Sequence, residues 1–336
     1  MSSSPDIAYV ILAAQKFSSI SAYVNFCFGL IGNLLTILIF MNLKIFHRNR
    51  CAFYLIAECL VDLGQLSQLF ANEIWALSLN EVDPTKTSLI WCKLRTIMPQ
   101  WCRLMLASIV CYAAIDQFFS THYHRHFRQY SSLEMAKFQI GLAGCLCLAH
   151  TIPAGVFLNI DPVLGCVISS QALVNYYSYA FYPFLSGVIP TLISSVFSLL
   201  AYRNVRRIIR RQIPLERRKL DQQLTAMIFV RVIFFIWLQL PFTVYRIFSI
   251  RWVMRPGNTV AYAATRWAQV ISTTLAYTSH AANFYIFYAT SIRYRRQVKY
   301  FFTKRCALVL RRCCGRHPNV VQPLETLSGE SGSELK

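Results

Sequence analysis

The residues in this sequence best placed to do chemistry are charged side chains set inside long apolar runs. Glu58, Asp62 and Glu73 share one such run, Arg103 stands in a second, and Arg231 and Arg246 stand in a third. A charge in apolar surroundings is costly unless it finds a partner, meets a ligand of opposite charge or lines a polar path. The chemistry implied is charge recognition, not bond making. No nucleotide-binding loop, cysteine or histidine cluster with metal-ligand spacing, or catalytic triad occurs. No enzymatic activity and no cofactor are therefore expected.

The elements that must position these residues follow from composition. The chain has 336 residues, of which 55% are hydrophobic and 14% charged. Charge-free intervals run from Phe17 to Leu43, Phe138 to Ile160, Pro162 to Tyr202 and Trp267 to Ile292. Each exceeds the roughly 20 apolar residues that a helix needs to cross a bilayer. Three further spans carry the isolated charges: about Cys51 to Ser78, Trp91 to Thr121, and about Gln222 to Ile250. The reading is all-α, a seven-helix transmembrane bundle over 17–290, with an outer N-terminal segment 1–16, a short amphipathic surface helix over 291–302 and a cytoplasmic tail over 303–336.

The net charge of +20 would suit nucleic acid, but its placement gives another reading. Most Lys and Arg fall between Lys44 and Arg50, Arg125 and Lys137, Arg203 and Lys219, and from Arg293 onward. With seven spans, that bias puts the N-terminus outside and the C-terminus in the cytoplasm of a plasma-membrane protein. Membrane lipid, not nucleic acid, is the expected partner of the charge. The opening MSSSPDIAYVILAAQK lacks a basic region ahead of a short apolar core, so no cleaved signal peptide is expected.

Several marks then recur in a fixed order: Gly32-Asn33, Asp62, Cys92 with Asp116-Gln117-Phe118 on one helix, Pro190, Trp237-Leu238-Gln239-Leu240-Pro241, and Asn283-Phe284-Tyr285-Ile286-Phe287. In this order the chain resembles the rhodopsin-like seven-helix receptors coupled to G proteins, over Phe17 to Phe302. The resemblance implies a disulfide between Cys92 and Cys166, pinning the second outer loop over the bundle mouth; two free cysteines are the alternative. It implies that Asp62 joins polar groups around a sodium ion, or else serves as a hydrogen-bonded structural acid with Asn33 and Asn283 as partners. It also implies a switch built from Asp116, Gln117, Phe118, Pro241, Asn283 and Phe287, and a heterotrimeric G protein as partner.

The chain departs from the family's pattern at that switch. Gln117 replaces the arginine of the inner triplet, Gln239 the toggle tryptophan, and Phe284 and Phe287 the proline and tyrosine after Asn283. Pro99 stands where amine receptors place their aspartate, and Tyr277 where an opsin carries its lysine. With Arg95, Arg103 and Arg246 near the mouth, a peptide or another polar or acidic extracellular ligand is expected. Glu73, Pro99 and Gln269 complete the candidate ligand contacts. The blander alternatives are ion pairs of Glu73 with Arg95 or Arg103, a partner such as Asp161 for Arg246, and a water-facing rim position for Gln269. Cys313 and Cys314 are candidate palmitoylation sites. The rival function is a seven-helix channel or transporter lined by Asp62, Glu73, Arg103 and Arg231.

Overall fold

The computed structural model describes residues 5–43, 46, 49–78, 88–122, 126, 132–161, 165–207, 215–251 and 260–314. Its elements in chain order are helices α1 (Pro5–Asn42), α2 (Arg50–Ser78), α3 (Leu89–Thr121) and α4 (Leu133–Val156), strands β1 (Leu158–Asp161) and β2 (Gly165–Ile168), then α5 (Gln171–Tyr176), a π-helical segment (Tyr177–Val188), α6 (Ile189–Arg207), α7 (Leu215–Arg251), α8 (Val260–Ala281), α9 (Asn283–Thr290) and α10 (Ile292–Cys314).

Short polar side chains set where these helices begin. Asn49 accepts from the Cys51 and Ala52 amides at 2.9 and 3.3 Å, Ser88 from Trp91 at 3.3 Å, and Ser132 from Met135 at 3.1 Å. Each supplies an acceptor to first-turn amides that no helical carbonyl can reach. Pro5 opens α1, where a missing amide proton costs nothing. That helix starts well ahead of Phe17, so much of the segment expected as a plain outer N-terminus is helical.

Packing makes α3 the central rod: it touches α2, α4, α6 and α7, while α1 packs on α2 and α8, and α8 on α7. The α1–α8 contact is close because of Gly29. A Cβ there would lie 2.2 Å from Leu66 Cδ1 and 3.2 Å from Ala281. Large apolar side chains such as Ile31, Phe138, Leu192 and Trp237 point outward, while Asn33, Glu58, Asp62, Arg231 and Asn283 are buried. Polar groups inside and apolar groups outside is the distribution expected where the solvent is lipid.

Among the described residues five helical stretches are long and apolar enough to cross a membrane: Asp6–Asn42, Leu89–Thr121, Leu133–Val156, Gln171–Val205 and Gln222–Ser249. The rods α2 and α8 are not among them. The first carries Glu58, Asp62 and Glu73, and the second Arg266, His280 and a run of Ser, Thr and Gln. These two rods touch each other, and their polar faces meet inside the bundle.

Three local features depart from a plain reading of the sequence. The fifth rod is π-helical from Tyr177 to Val188 and contains Pro183; Pro190 falls just after it, at the start of α6. Prolines remove amide donors from the helical ladder, and a widened turn re-pairs the remainder. The seventh rod breaks at Ala282 although no proline follows Asn283. The helix after it runs from Ile292 to Cys314, past the boundary at 302. It is held by an aromatic cluster in which Phe287 and Phe284 each lie 6.1 Å from Tyr294, as does Phe40.

The strands form an antiparallel hairpin that pairs Ile160 with Cys166 and Asp161 with Gly165. Gly165 has φ 79°, a left-handed conformation that glycine adopts without strain. The hairpin delivers Cys166 to Cys92 near the N-terminal end of α3, and the two are disulfide-bonded with Cα atoms 5.6 Å apart. This bond closes a loop with a sequence separation of 74 residues. Cys92→Ser or Cys166→Ser should cost about 2–4 kcal/mol. The measurement is the thermal unfolding midpoint of the purified chain, and the two single variants should match the double variant.

Candidate functional site

The innermost polar group is built by two helical repeats facing one another. Glu58 and Asp62, four apart on α2, share a face, and so do His280 and Asn283, three apart across the α8–α9 break. His280 Nδ1 lies 2.7 Å from Asp62 Oδ1. Asn283 Nδ2 donates to Asp62 Oδ2 at 2.8 Å and to Glu58 Oε1 at 3.2 Å. From α7, Arg231 Nε donates to Glu58 Oε1 at 2.6 Å in an ion pair whose side chains are 2% and 4% exposed. From α1, Asn33 donates to the backbone carbonyls of His280 and Gly29 at 3.0 and 2.9 Å.

This arrangement corrects one expectation and adds two contacts. Asn283 is a partner of Asp62, but Asn33 is not; it braces the backbone that carries His280. The pairing of Arg231 with Glu58 and the role of His280 were not foreseen. Their sequence signals are present, since Glu58 stands one turn before Asp62 and His280 one turn before Asn283. Both Asp62 oxygens are engaged by protein groups. Among the described residues no group of three or more His, Cys, Asp or Glu is placed to hold a metal ion.

The polar contacts continue along α7 through Gln239. Its Nε2 donates to Ser279 Oγ at 2.9 Å, and its Oε1 accepts from Arg103 Nη1 at 3.2 Å. Ser279 is the neighbour of His280, so a run of contacts extends from Arg103 on α3 to Arg231 on α7. Trp237 takes no part, being 76% exposed on the outer face of α7. Pro241 lies inside α7 between Gln239 and Arg246.

Arg103 and Arg246 find neutral partners. Arg103 lies 4.2 Å from the Phe242 ring centroid. Arg246 donates to the Tyr182 hydroxyl through Nε and Nη2 at 3.3 and 3.2 Å. Glu73 turns away from α3 and accepts from Ser19 of α1 at 2.8 Å, so the expected ion pair with Arg95 or Arg103 does not form. Arg95 is exposed on the outer turns of α3, and Pro99 is half-buried one turn further in. Gln269 accepts from Arg266 of its own helix at 2.7 Å.

At the opposite end of α3, Gln117 is 5% exposed and accepts from Thr225 of α7 at 2.9 Å. Asp116 lies 3.6 Å from Arg50, an arginine supplied by α2 instead of the inner triplet. Phe118 packs edge-on against Phe197 of α6, with ring centroids 5.5 Å apart. The triplet is thus a packed junction of α2, α3, α6 and α7, not a solvated helix end. Cys313 and Cys314 close α10, and their side chains lie outside the described residues, as do Glu81, Asp83 and the tail from Pro318.

No family model matches this chain, and no curated protein is similar to it in sequence.

Glu58 and Arg231 test the inner group directly. Removing one member of a buried ion pair leaves the other uncompensated, at a cost of about 3–5 kcal/mol. Arg231→Met and Glu58→Leu should each lower the thermal midpoint of the purified chain. The double variant should recover most of the loss, because two apolar side chains leave no orphan charge.

Proposed function

We propose that this chain is a plasma-membrane receptor of the rhodopsin-like type, its seven rods spanning the bilayer with the N-terminus outside, which passes binding of an extracellular ligand to a heterotrimeric G protein. The ligand is a peptide or another polar or acidic molecule. The observation that carries this reading is two polar groups joined only through the α8 backbone: Arg103, Gln239 and Ser279, and, from the adjacent His280, Asp62, Asn283, Glu58 and Arg231. From Gln239 to Arg231 the two groups span about 12 Å of α7. A ligand that moves Arg103 or Arg246 acts on the same rod that Glu58 holds.

In this reading the Glu58–Arg231 pair is the restraint on α7. The arginine that would lock the inner triplet is absent, and the neutral Gln117–Thr225 hydrogen bond is weaker than an ion pair. Release of α7 would open the inner face, where Gln223, Met227, Thr290 and Arg293 line a groove of about 390 Å³ between α7 and α9–α10. That groove is the candidate G-protein contact. The channel or transporter reading draws on the same buried charges. Against it, Glu58, Asp62, Arg231 and His280 are engaged with one another instead of facing an open path.

The test is G-protein dissociation in cells expressing the chain, with surface delivery checked by an N-terminal epitope on intact cells. Pooled peptides, amines, organic acids and lipids supply the challenge. A ligand-dependent signal is expected, and Glu58→Gln should raise the basal signal by severalfold. Ion current or substrate flux in the absence of any G protein, with no dissociation across all G-protein classes, would replace this reading with the channel.

A further inference from the structure

The structure assigns a carboxylate-binding site to the mouth of the bundle, formed by Arg103, Arg246, Tyr182 and Tyr277. The inference rests on the receptor reading and gives its ligand a chemical group. Among the described residues neither guanidinium has a carboxylate partner: Arg103 is bonded to an amide oxygen and Arg246 to a phenol. The one acid of the outer half of α2, Glu73, is spent on Ser19. Both guanidiniums are half-buried, and they repel one another. Two like charges held together in a weakly polarisable setting lack the anion that would offset them.

The surrounding donors fit one functional group. Tyr182 and Tyr277 are each close enough to interact electrostatically with both guanidiniums. Both phenol oxygens accept protein hydrogen bonds, Tyr182 from Arg246 and Tyr277 from Gln65 at 3.2 Å. Their own O–H groups thereby remain to donate. Two guanidiniums and two hydroxyls present four donor groups, which matches the roughly four lone-pair sites of a carboxylate. The rings of Phe242 and Tyr182 beside the charges suit an apolar or aromatic body attached to that carboxylate. Arg103 lies three turns inward of Cys92 on α3, about 16 Å along the helix. The ligand must therefore lead with its acid end beneath the hairpin.

The test is thermal unfolding and binding of the purified full chain with benzoate, benzamide, sodium chloride and inorganic phosphate as probes. Benzoate should raise the midpoint by several degrees while benzamide does not. Arg103→Gln and Arg246→Gln should each weaken benzoate about tenfold or more, read by direct binding and as the benzoate-induced shift from each variant's own unliganded midpoint, since each variant also loses a hydrogen bond to Gln239 or Tyr182. Arg246→Lys, which keeps the charge but loses the fork, should bind benzoate with intermediate strength. Decanoate against its methyl ester, and a peptide acid against its amide, then identify the carrier of the group; a preference for either acid supports the site. Equal stabilisation by benzamide, by chloride or by phosphate would overturn it, as would undiminished benzoate binding in both glutamine variants. Benzoate stabilisation without any G-protein signal removes the receptor reading and leaves the site. A G-protein signal from amidated ligands alone, with no effect of benzoate, removes the site and leaves the receptor.

Discussion

Every other feature of the bundle is arranged around a charge that has no water to face. Glu58 sits in the interior of a helical bundle whose outer surface is apolar, and Arg231 reaches it from a different rod. The geometry leaves little freedom, because a displaced α7 would strand both charges. Asn283 ties Glu58 to Asp62, His280 takes the other Asp62 oxygen, and Asn33 holds the backbone that presents His280. Four rods thereby share one polar group, and the register of each against the others is fixed by directional contacts that apolar packing alone would not specify.

The same constraint explains which rods look apolar and which do not. Helices α2 and α8 lack a stretch apolar enough to cross a membrane, and their polar faces meet one another. Close approach of α1 at Gly29 lets Asn33 reach a carbonyl of that pair. The lipid-like surface is carried by the outward faces of the remaining rods, as Ile31, Phe138 and Leu192 illustrate. Polarity is conserved within the bundle by moving it inward, not by removing it.

Asp116, Gln117, Gln239 and Phe287 are each held by particular neighbours. Asp116 is met by Arg50 from α2, and Gln117 keeps a neutral bond to α7. Gln239 joins α3 to α8 by hydrogen bonds. Phe287 takes a place in the aromatic cluster around Tyr294. The shortest ion pair between arginine and carboxylate among the described residues lies in the middle of α2 and α7.

Much of this fold was legible in the sequence. Long apolar intervals and the segregation of Lys and Arg implied spanning helices, and the ordered marks implied a disulfide between Cys92 and Cys166, because apolar length and charge placement are one-dimensional properties. The helical period likewise put Glu58 beside Asp62. What the sequence left open was direction across space. Glu73 was free to turn toward Arg95 or Arg103 but turns to Ser19; Arg231 had several acids within plausible reach and takes Glu58; the π-helical turn that places Tyr182 against Arg246 has only Pro183 and Pro190 as its sequence trace. Periodicity fixes the face of a helix on which a charge lies, whereas the choice of partner depends on the rotation and approach of a second helix, which only the packed bundle decides.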